Sequence, residues 1–169
     1  VAGAPVKTCC AGRTDRGVHG FAQFVHFDDT VGRNPKAWLF GTNRYLPNTV
    51  RVHWVKEVPL TFHARFSALT RKYRYIIYTS SSRSPILEGL TTWVPHPLDV
   101  GVMNDVSQVL VGEHDFSAFR AAACRSKSPV RRIFKVRALR QGDLLIIDIT
   151  ANAFVYHMAR NIVGSLISV

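Results

Sequence analysis

The sequence predicts an α+β fold with mainly antiparallel sheets, and three observations support this class. Both halves of the chain contain short alternating or continuous apolar stretches, which are typical of strands. Amphipathic stretches with helical spacing accompany them, so that each half has the order strand, helix, strand. Gln141-Gly142-Asp143 lies between two strand-like stretches and predicts a hairpin. A parallel, doubly wound sheet is therefore not expected.

The first part of the chain predicts three strands and one helix. The strand-like stretches are Val6–Ala11, Phe21–Phe27 and Val50–Val58. The last two alternate in side-chain character, which suits strands that are buried mainly on one side. Between them, a helix is expected to begin at Asn34-Pro35, because proline suits a first helical turn, and to end near Leu46-Pro47.

The second part predicts three further strands and two helices. The expected strands are Phe66–Tyr78, Arg132–Leu139 and Leu144–Thr150. Asp99 can cap a helix that runs through Leu110 and ends at Gly112. A last helix is expected over Val155–Ile167, because apolar residues there form one stripe at helical spacing. The members of that stripe are Val155, Met158, Ile162 and Leu166.

Pro59-Leu60 is the nearest feature to a domain boundary, and it predicts a division into residues 1–58 and 59–169. The chain opens at Val1 without a signal peptide, and it ends at Val169 within a helical pattern. We therefore expect a fragment that is cut at both ends, with the second domain truncated at its end. No stretch approaches the roughly 18 to 20 apolar residues of a membrane span, so a membrane protein is not expected.

The charge balance points to a polyanionic partner. The 22 lysines and arginines outnumber the 11 acidic residues and give a formal net charge of +11. Such a surface gains counterion-release entropy when it binds a nucleic acid, although an ordinary basic protein can carry the same charge. Apolar residues make up 47% of the chain, which is enough for a packed core and excludes a disordered chain.

The three cysteines, Cys9, Cys10 and Cys124, predict reduced thiols and no metal centre. Their number is odd and they form no Cys-x-x-Cys pair, so neither a disulfide framework nor a zinc site is indicated. The seven histidines are scattered along the chain. These observations favour the cytoplasm as the location, because thiols stay reduced there.

Asp15 is the first candidate functional residue. It follows the first strand-like stretch and lies between Gly12 and Gly17, which let the backbone turn sharply and bring the carboxylate to a loop tip. A carboxylate in that position can meet a ligand. The other interpretation is a simple turn in which the aspartate binds neighbouring backbone amides. The local pattern leaves both interpretations open.

Five ordered blocks carry a resemblance to a known family. They are Gly12–His19, Phe62–Ala68, Arg71–Tyr75, Gly112–Phe116 and Asn152–Gly164. In residue type and in order they resemble the TruA family of tRNA pseudouridine synthases, and the likeness covers nearly the whole chain. The resemblance implies the pseudouridine synthase fold, in which two related halves, each with a mainly antiparallel sheet flanked by helices, surround a central basic cleft.

The same resemblance implies an enzyme that isomerises uridine to pseudouridine in the anticodon stem-loop of tRNA. Such an enzyme needs no metal or organic cofactor, and the family members work as homodimers. Residues 1–58 would be the remainder of the N-terminal half and residues 59–169 the C-terminal half. Two alternatives stay open, namely a non-catalytic RNA-binding module that kept the fold and an inactive truncated form of the enzyme.

Three residues form the catalytic set that the resemblance implies. Asp15 matches the catalytic aspartate, which adds to the base or the sugar or removes a ribose proton. Arg160 matches the arginine that pairs with this aspartate, and helical projection places it off the apolar stripe with Tyr156 and Gly164. Tyr73 matches the active-site tyrosine, which would stack on a flipped uracil. Without the resemblance, a solvated arginine and a packed sheet tyrosine are the simpler interpretations.

Four further residues are expected to bind the RNA substrate: Arg13, His19, Arg65 and Arg74. Arg13 matches an invariant family arginine, and the others would line the basic cleft beside aromatic residues that stack bases. The sequence departs from the family pattern after Asp15, where a small residue is usual and Arg16 stands instead. It also lacks the family's N-terminal strand, which leaves an exposed sheet edge as an expectation.

Overall fold

The computed structural model describes all residues from Val1 to Val169. The chain forms two compact units, Val1–Ala68 and Leu69–Val169. This division lies further along the chain than Pro59-Leu60, and the assignment of residues 1–58 and 59–169 to two functional halves stays a prediction. None of the helices is both long enough and apolar enough to cross a membrane.

The first unit contains one small antiparallel sheet and one helix. Strand β1 (Thr8–Cys10) pairs with β2 (Val25–Phe27), and Cys9 lies opposite His26. Helix α1 (Pro35–Tyr45) begins as predicted, because the side chain of Asn34 accepts a hydrogen bond from the backbone N–H of Ala37 at 2.8 Å.

Two predicted strands of the first unit need correction. Val50–Val58 is not a strand, and Phe21–Phe27 is one only over its last three residues. At Val52, the side-chain amide of Asn43 takes the place of a neighbouring strand, since it accepts from the backbone N–H and donates to the carbonyl, both at 2.8 Å. Alternating side chains without a partner backbone do not make a strand.

The second unit contains a five-stranded sheet in the order β4-β3-β7-β6-β5. Its strands are β3 (Arg71–Thr79), β4 (Thr92–Val94), β5 (Gly112–Asp115), β6 (Val130–Gln141) and β7 (Leu144–Ala151). All neighbours are antiparallel except β3 and β4. Gly142, with φ at +58°, stands in the two-residue turn of the predicted β6–β7 hairpin. The predicted α+β class with mainly antiparallel sheets is therefore confirmed.

Helices α2 (Val100–Ser107) and α3 (Met158–Ile167) complete the second unit, and both predicted helix starts are confirmed within a few residues. The side chain of Asp99 accepts from the N–H of Val102 at 3.1 Å, as expected of a cap. Short 3-10 helices occupy Pro85–Leu87, Gln108–Leu110 and Ser117–Phe119.

The core of the second unit lies on one face of the sheet. The predicted apolar stripe of α3 is buried, and it belongs to one cluster with the inward side chains of β7. Those side chains are Leu145, Ile147, Ile149 and Ala151. The β7 residues between them, including Asp148, lie on the opposite face and are partly exposed. The sheet thus offers two chemically different faces.

Candidate functional site

The loop that carries Asp15 follows β1 directly and is fixed at both ends. The N–H of Ala11 donates to the carbonyl of Phe24 at 2.8 Å, and the side-chain amide of Gln23 donates to the carbonyl of Gly12 at 2.6 Å. Asp15 then opens a tight turn that is closed by a hydrogen bond from the N–H of Val18 to the carbonyl of Asp15. The loop base is therefore held by hydrogen bonds to the β2 side.

Gly17 is what this turn requires, because its φ of +79° lies in the left-handed region that favours glycine. The side chains of Asp15 and Arg16 are exposed. The bond that closes the turn uses the backbone carbonyl of Asp15. An exposed carboxylate on a well-defined turn is what the sequence predicts for this position, while its catalytic role stays a prediction.

Exposed cations and exposed aromatic rings both occur in the first unit. Arg13, His19 and Arg65 are exposed, and the guanidinium of Arg65 lies 5.7 Å from the centre of the Phe66 ring. Phe66 is 77% exposed and Phe21 is 96% exposed. Sequence analysis did not identify these two rings, because it assigned both to strands. Cations and open rings of this kind can bind phosphates and stack bases.

Cys9, His26 and His63 form a cluster whose potential ligand atoms lie within 4.8 Å of one another. The Nδ1 atom of His26 accepts the N–H of Ala64 at 3.1 Å, and Nδ1 of His63 accepts the N–H of Arg65 at 3.2 Å. A neutral ring that accepts at Nδ1 carries its hydrogen on Nε2, so neither Nε2 can ligate a metal in this arrangement.

The cluster instead fits a structural role. Nε2 of His63 lies 3.7 Å from the sulfur of Cys9, which connects β1 to the segment that carries Arg65. The rings of His26 and His63 also contact each other edge to face, with centres 4.7 Å apart. These contacts link β1, β2 and the Phe62–Ala68 block within the first unit.

Tyr73 lies in β3 near its start, on the same sheet face as the core. It is 37% exposed, and its ring packs edge to face on Phe154 with centres 4.7 Å apart. Tyr75 lies further into the sheet and is partly buried, and its hydroxyl forms a 2.7 Å hydrogen bond with Thr92. Tyr73 is therefore accessible enough to meet a ligand, whereas Tyr75 is used for packing.

Arg160 lies in the first turn of α3. This helix start departs from common practice in its backbone conformation, its capping and its charge. His157, just before the helix, has φ at +63° and is the one non-glycine residue with positive φ in the chain. The helix has no side-chain cap, and a cation in its first turn faces an unfavourable helix dipole. Local strain of this kind is concentrated at functional sites.

The surface around Arg160 is open. Arg160 and Gly164 are both exposed, one helical turn apart, and a side-chain carbon built on Gly164 would meet no atom within 4 Å. The face predicted by helical projection is therefore confirmed. Asp15 belongs to the first unit and Arg160 to the second, and their pairing stays a prediction.

Arg74 is separated from Tyr73 by strand alternation, since adjacent residues of β3 point to opposite faces. Its guanidinium binds both carboxylate oxygens of Asp148 at 2.8 Å, and Lys72 binds the same carboxylate at 2.9 Å. These hydrogen bonds, first of all those from Arg74, lower the pKa of Asp148 to about 2. The structure thus places Arg74 beside Asp148 rather than beside Tyr73.

Comparison with known proteins gives one consistent result. A family model described as tRNA pseudouridine synthase matches residues 106–169. Over 169 residues, the chain is 50% identical to the tRNA pseudouridine synthase A of Pseudoalteromonas atlantica, 51% to that of Buchnera aphidicola and 50% to that of Pseudomonas aeruginosa. These matches cover all of the chain and 64%, 64% and 59% of the respective relatives.

The identity is not confined to the blocks that first suggested the resemblance. It holds over the full length of the chain, through both compact units, and the matches are all named as the same enzyme. The α+β fold with mainly antiparallel sheets agrees with that assignment. The chain therefore belongs to the tRNA pseudouridine synthase A family.

Proposed function

We propose that the protein isomerises uridine to pseudouridine in tRNA, with Asp15 as the catalytic carboxylate. The observation that carries the proposal is the identity of about half of all positions, over the whole chain, to proteins named tRNA pseudouridine synthase A. The exposed, glycine-closed turn at Asp15 supports it, because a reactive carboxylate must reach a ligand while its backbone stays fixed.

The reaction is an isomerisation and needs no oxidant or reductant. The bond between N1 of uracil and C1′ of ribose breaks, a bond between C5 and C1′ forms, C5 loses its proton and N1 gains one. Asp15 adds to the base, adds to the sugar or removes a ribose proton, and each route needs an ionised carboxylate close to the target atom.

Arg160 and Tyr73 have supporting roles in this proposal. A carboxylate that leaves water for an RNA-covered site would be driven towards its neutral form, so a permanent cation is needed near it. We assign that charge to Arg160. Tyr73 is 37% exposed, which suits stacking of its ring on an extruded uracil, and its hydroxyl can exchange a proton with the base.

The remaining proposals concern the substrate and the assembly. Arg13, His19 and Arg65 hold RNA phosphates, and the exposed rings of Phe21 and Phe66 offer stacking surfaces for bases. Arg74 is the weakest member of the predicted substrate set, because its guanidinium is bound to Asp148. The substrate region is the anticodon stem-loop, and the enzyme acts as a homodimer in the cytoplasm, without metal or organic cofactor.

The proposal is tested with tRNA that carries tritium at C5 of uracil, because formation of the C5–C1′ bond releases that tritium to water. The intact protein is compared with Asp15→Asn and Asp15→Ala. We expect both variants to lose at least about 10³-fold in rate while they still bind tRNA. Asp28→Asn, which removes another exposed carboxylate of the first unit, is the matched control and should keep full activity.

Each alternative function gives its own result in the same assay. A non-catalytic RNA-binding module would bind tRNA and release no tritium. An inactive truncated form would release none as the 169-residue chain, whereas an extended protein with the same residues would. If an active protein keeps its rate in both Asp15 variants, the assigned role of Asp15 is wrong.

A further inference from the structure

The start of α3 is held from outside the helix by residues Phe119–Cys124, here named the 119–124 loop. The N–H of Ala121 donates to the carbonyl of Tyr156 at 3.1 Å, and the N–H of Tyr156 donates to the sulfur of Cys124 at 3.3 Å. One turn into the helix, the side chain of Asn161 donates to the carbonyl of Phe119 at 2.9 Å. The 119–124 loop therefore forms hydrogen bonds with both the N–H and the carbonyl of Tyr156 and with the first turn of α3.

Arg120 closes the 119–124 loop on itself. One guanidinium nitrogen donates to the carbonyl of Cys124 at 2.8 Å and to that of Ser126 at 2.9 Å, and the N–H of Cys124 donates to the carbonyl of Ala121 at 3.0 Å. Arg120 thus fixes the backbone from which the Cys124 sulfur reaches Tyr156. The N–H of Tyr156 lowers the pKa of the Cys124 thiol, in keeping with a sulfur that acts as an acceptor.

These contacts matter for Arg160 because α3 lacks the usual local interactions that stabilise a first helical turn. His157 offers no side-chain cap and has a strained backbone, and no acidic residue lies in the first turn. Arg160 is the third residue of the helix, four residues after Tyr156. The N–H of Asn161, the residue after Arg160, donates to the carbonyl of His157 at 2.9 Å. A shift of Tyr156 and His157 would therefore displace the backbone next to Arg160.

We propose that Arg120 and Cys124 are positioning residues for Arg160, and that they act by fixing the Tyr156 peptide at the entrance of α3. This inference rests on the proposed function, since it gives Arg160 a role in the reaction. Neither residue needs to contact the RNA. Removal of the sulfur acceptor should leave substrate affinity alone and reduce turnover, because a displacement of about 1 Å in a catalytic group can cost about 10²-fold in rate.

The first test compares Cys124→Ala with Cys124→Ser in the intact protein. We expect Cys124→Ala to lower kcat by about 10- to 100-fold with KM for tRNA changed less than about twofold, since the Tyr156 N–H loses its acceptor. Cys124→Ser keeps an acceptor oxygen and should recover most of the loss. The matched control is Ser126→Ala, just beyond the 119–124 loop, because the hydroxyl of Ser126 binds Ser128 and Arg131 and not Tyr156.

The second test asks whether Arg120 acts through Cys124. Arg120→Lys keeps the charge but replaces the rigid guanidinium, one nitrogen of which holds both carbonyls, by an ammonium on a flexible stem. It should lower kcat by several-fold alone. In the Cys124→Ala background the same change should have almost no further effect. If Arg120→Lys instead weakens tRNA binding and leaves kcat unchanged, Arg120 contacts the RNA directly and the proposal is overturned.

A readout that does not depend on activity separates this inference from the proposed function. Hydrogen exchange of the Tyr156 amide should be slow in the wild type, faster in Cys124→Ala and slow again in Cys124→Ser. Unchanged exchange in Cys124→Ala overturns the hydrogen-bond role, whatever the activity. Unchanged kcat, or an equal loss in Ser126→Ala, overturns the positioning role.

A wild-type protein that releases no tritium contradicts the proposed function and, with it, any role of Arg160 in turnover. The exchange of the Tyr156 amide would still decide whether Cys124 fixes the start of α3. Cys124→Ala could lower the midpoint of thermal unfolding so far that its kinetics are unreliable. In that case two comparisons decide whether Arg120 and Cys124 position Arg160. They are Cys124→Ser against wild type, and Arg120→Lys in the Cys124→Ser background.

Discussion

The ion cluster around Asp148 gives the most quantitative prediction for this protein. Asp148 lies on β7 directly opposite Arg74 on one neighbouring strand and Arg137 on the other. Its carboxylate accepts from Arg74 at 2.8 Å and from Lys72 at 2.9 Å, and only 14% of its side chain is exposed. Asp148→Asn keeps the shape of the side chain, removes its charge and leaves the surrounding cations facing one another.

The magnitude follows from the pKa of Asp148, which falls from its ordinary value of 3.8 to about 2. At about 1.4 kcal/mol per unit this is at most roughly 2.4 kcal/mol, and screening of the half-exposed Lys72 and Arg74 reduces it to about 1 to 2 kcal/mol. Because the folded-state pKa is the lower one, this stability is fully present above about pH 4. It is lost as the pH falls towards 2.

The assay is urea unfolding followed by tryptophan fluorescence, for wild type and Asp148→Asn, between pH 7 and pH 2.5. The variant should be less stable at pH 7 by about 1 to 2 kcal/mol, and the difference should narrow below pH 4. Glu113→Gln, which removes an exposed carboxylate of the same sheet, is the matched control and should change stability by less than about 0.5 kcal/mol. A wild-type advantage that stays constant down to pH 2.5 would refute the linkage.

Three further predictions concern the Asp15 turn, the core and RNA binding. Gly17→Ala should destabilise the turn by about 1 to 2 kcal/mol and lower tritium release, because its φ of +79° strains any side chain, whereas Gly20→Ala should be tolerated. Ile147→Ala, at a fully buried position, should lower the free energy of unfolding by about 2 to 5 kcal/mol, and Ile86→Ala, at an exposed one, by less than about 0.5. Arg13→Gln should weaken tRNA binding and reduce the slope of log affinity against log salt by about 1.

The parts of the fold that could be predicted are those determined by interactions between residues close in sequence. The cap at Asn34, the cap at Asp99 and the turn at Gly142 each act within a few residues, and all three occur where the sequence places them. The predicted strand at Val50–Val58 is wrong, because a strand needs a partner backbone and the local sequence does not show whether one is present. β4 and β5 were not predicted. β5 contains no apolar side chain, so that only its pairing with β6 makes it a strand.

The features of the candidate site also differ in whether local sequence is enough to predict them. The exposed turn at Asp15 and the face of Arg160 follow from glycine spacing and helical projection, which are local properties. Strand parity places Arg74 on the face opposite Tyr73, and parity can be read from the sequence once β3 is assigned. The substrate-binding role of Arg74 stays a prediction. The open rings of Phe21 and Phe66 depend on where β2 and β3 begin, and therefore on tertiary pairing.

The Asp15 turn in the first unit and the first turn of α3 in the second are supported in a similar way. The Asp15 turn presents an exposed carboxylate on a backbone that Gln23 and Ala11 hold at its base. The first turn of α3 presents an exposed Arg160 on a backbone that Cys124 and Ala121 hold at its entrance. In each case the side chain that we propose to be catalytic is exposed, while hydrogen bonds from a neighbouring segment hold the backbone beside it. A weakened support should therefore reduce turnover before it reduces binding, and this order of effects distinguishes a preorganised enzyme site from a basic surface that only binds RNA.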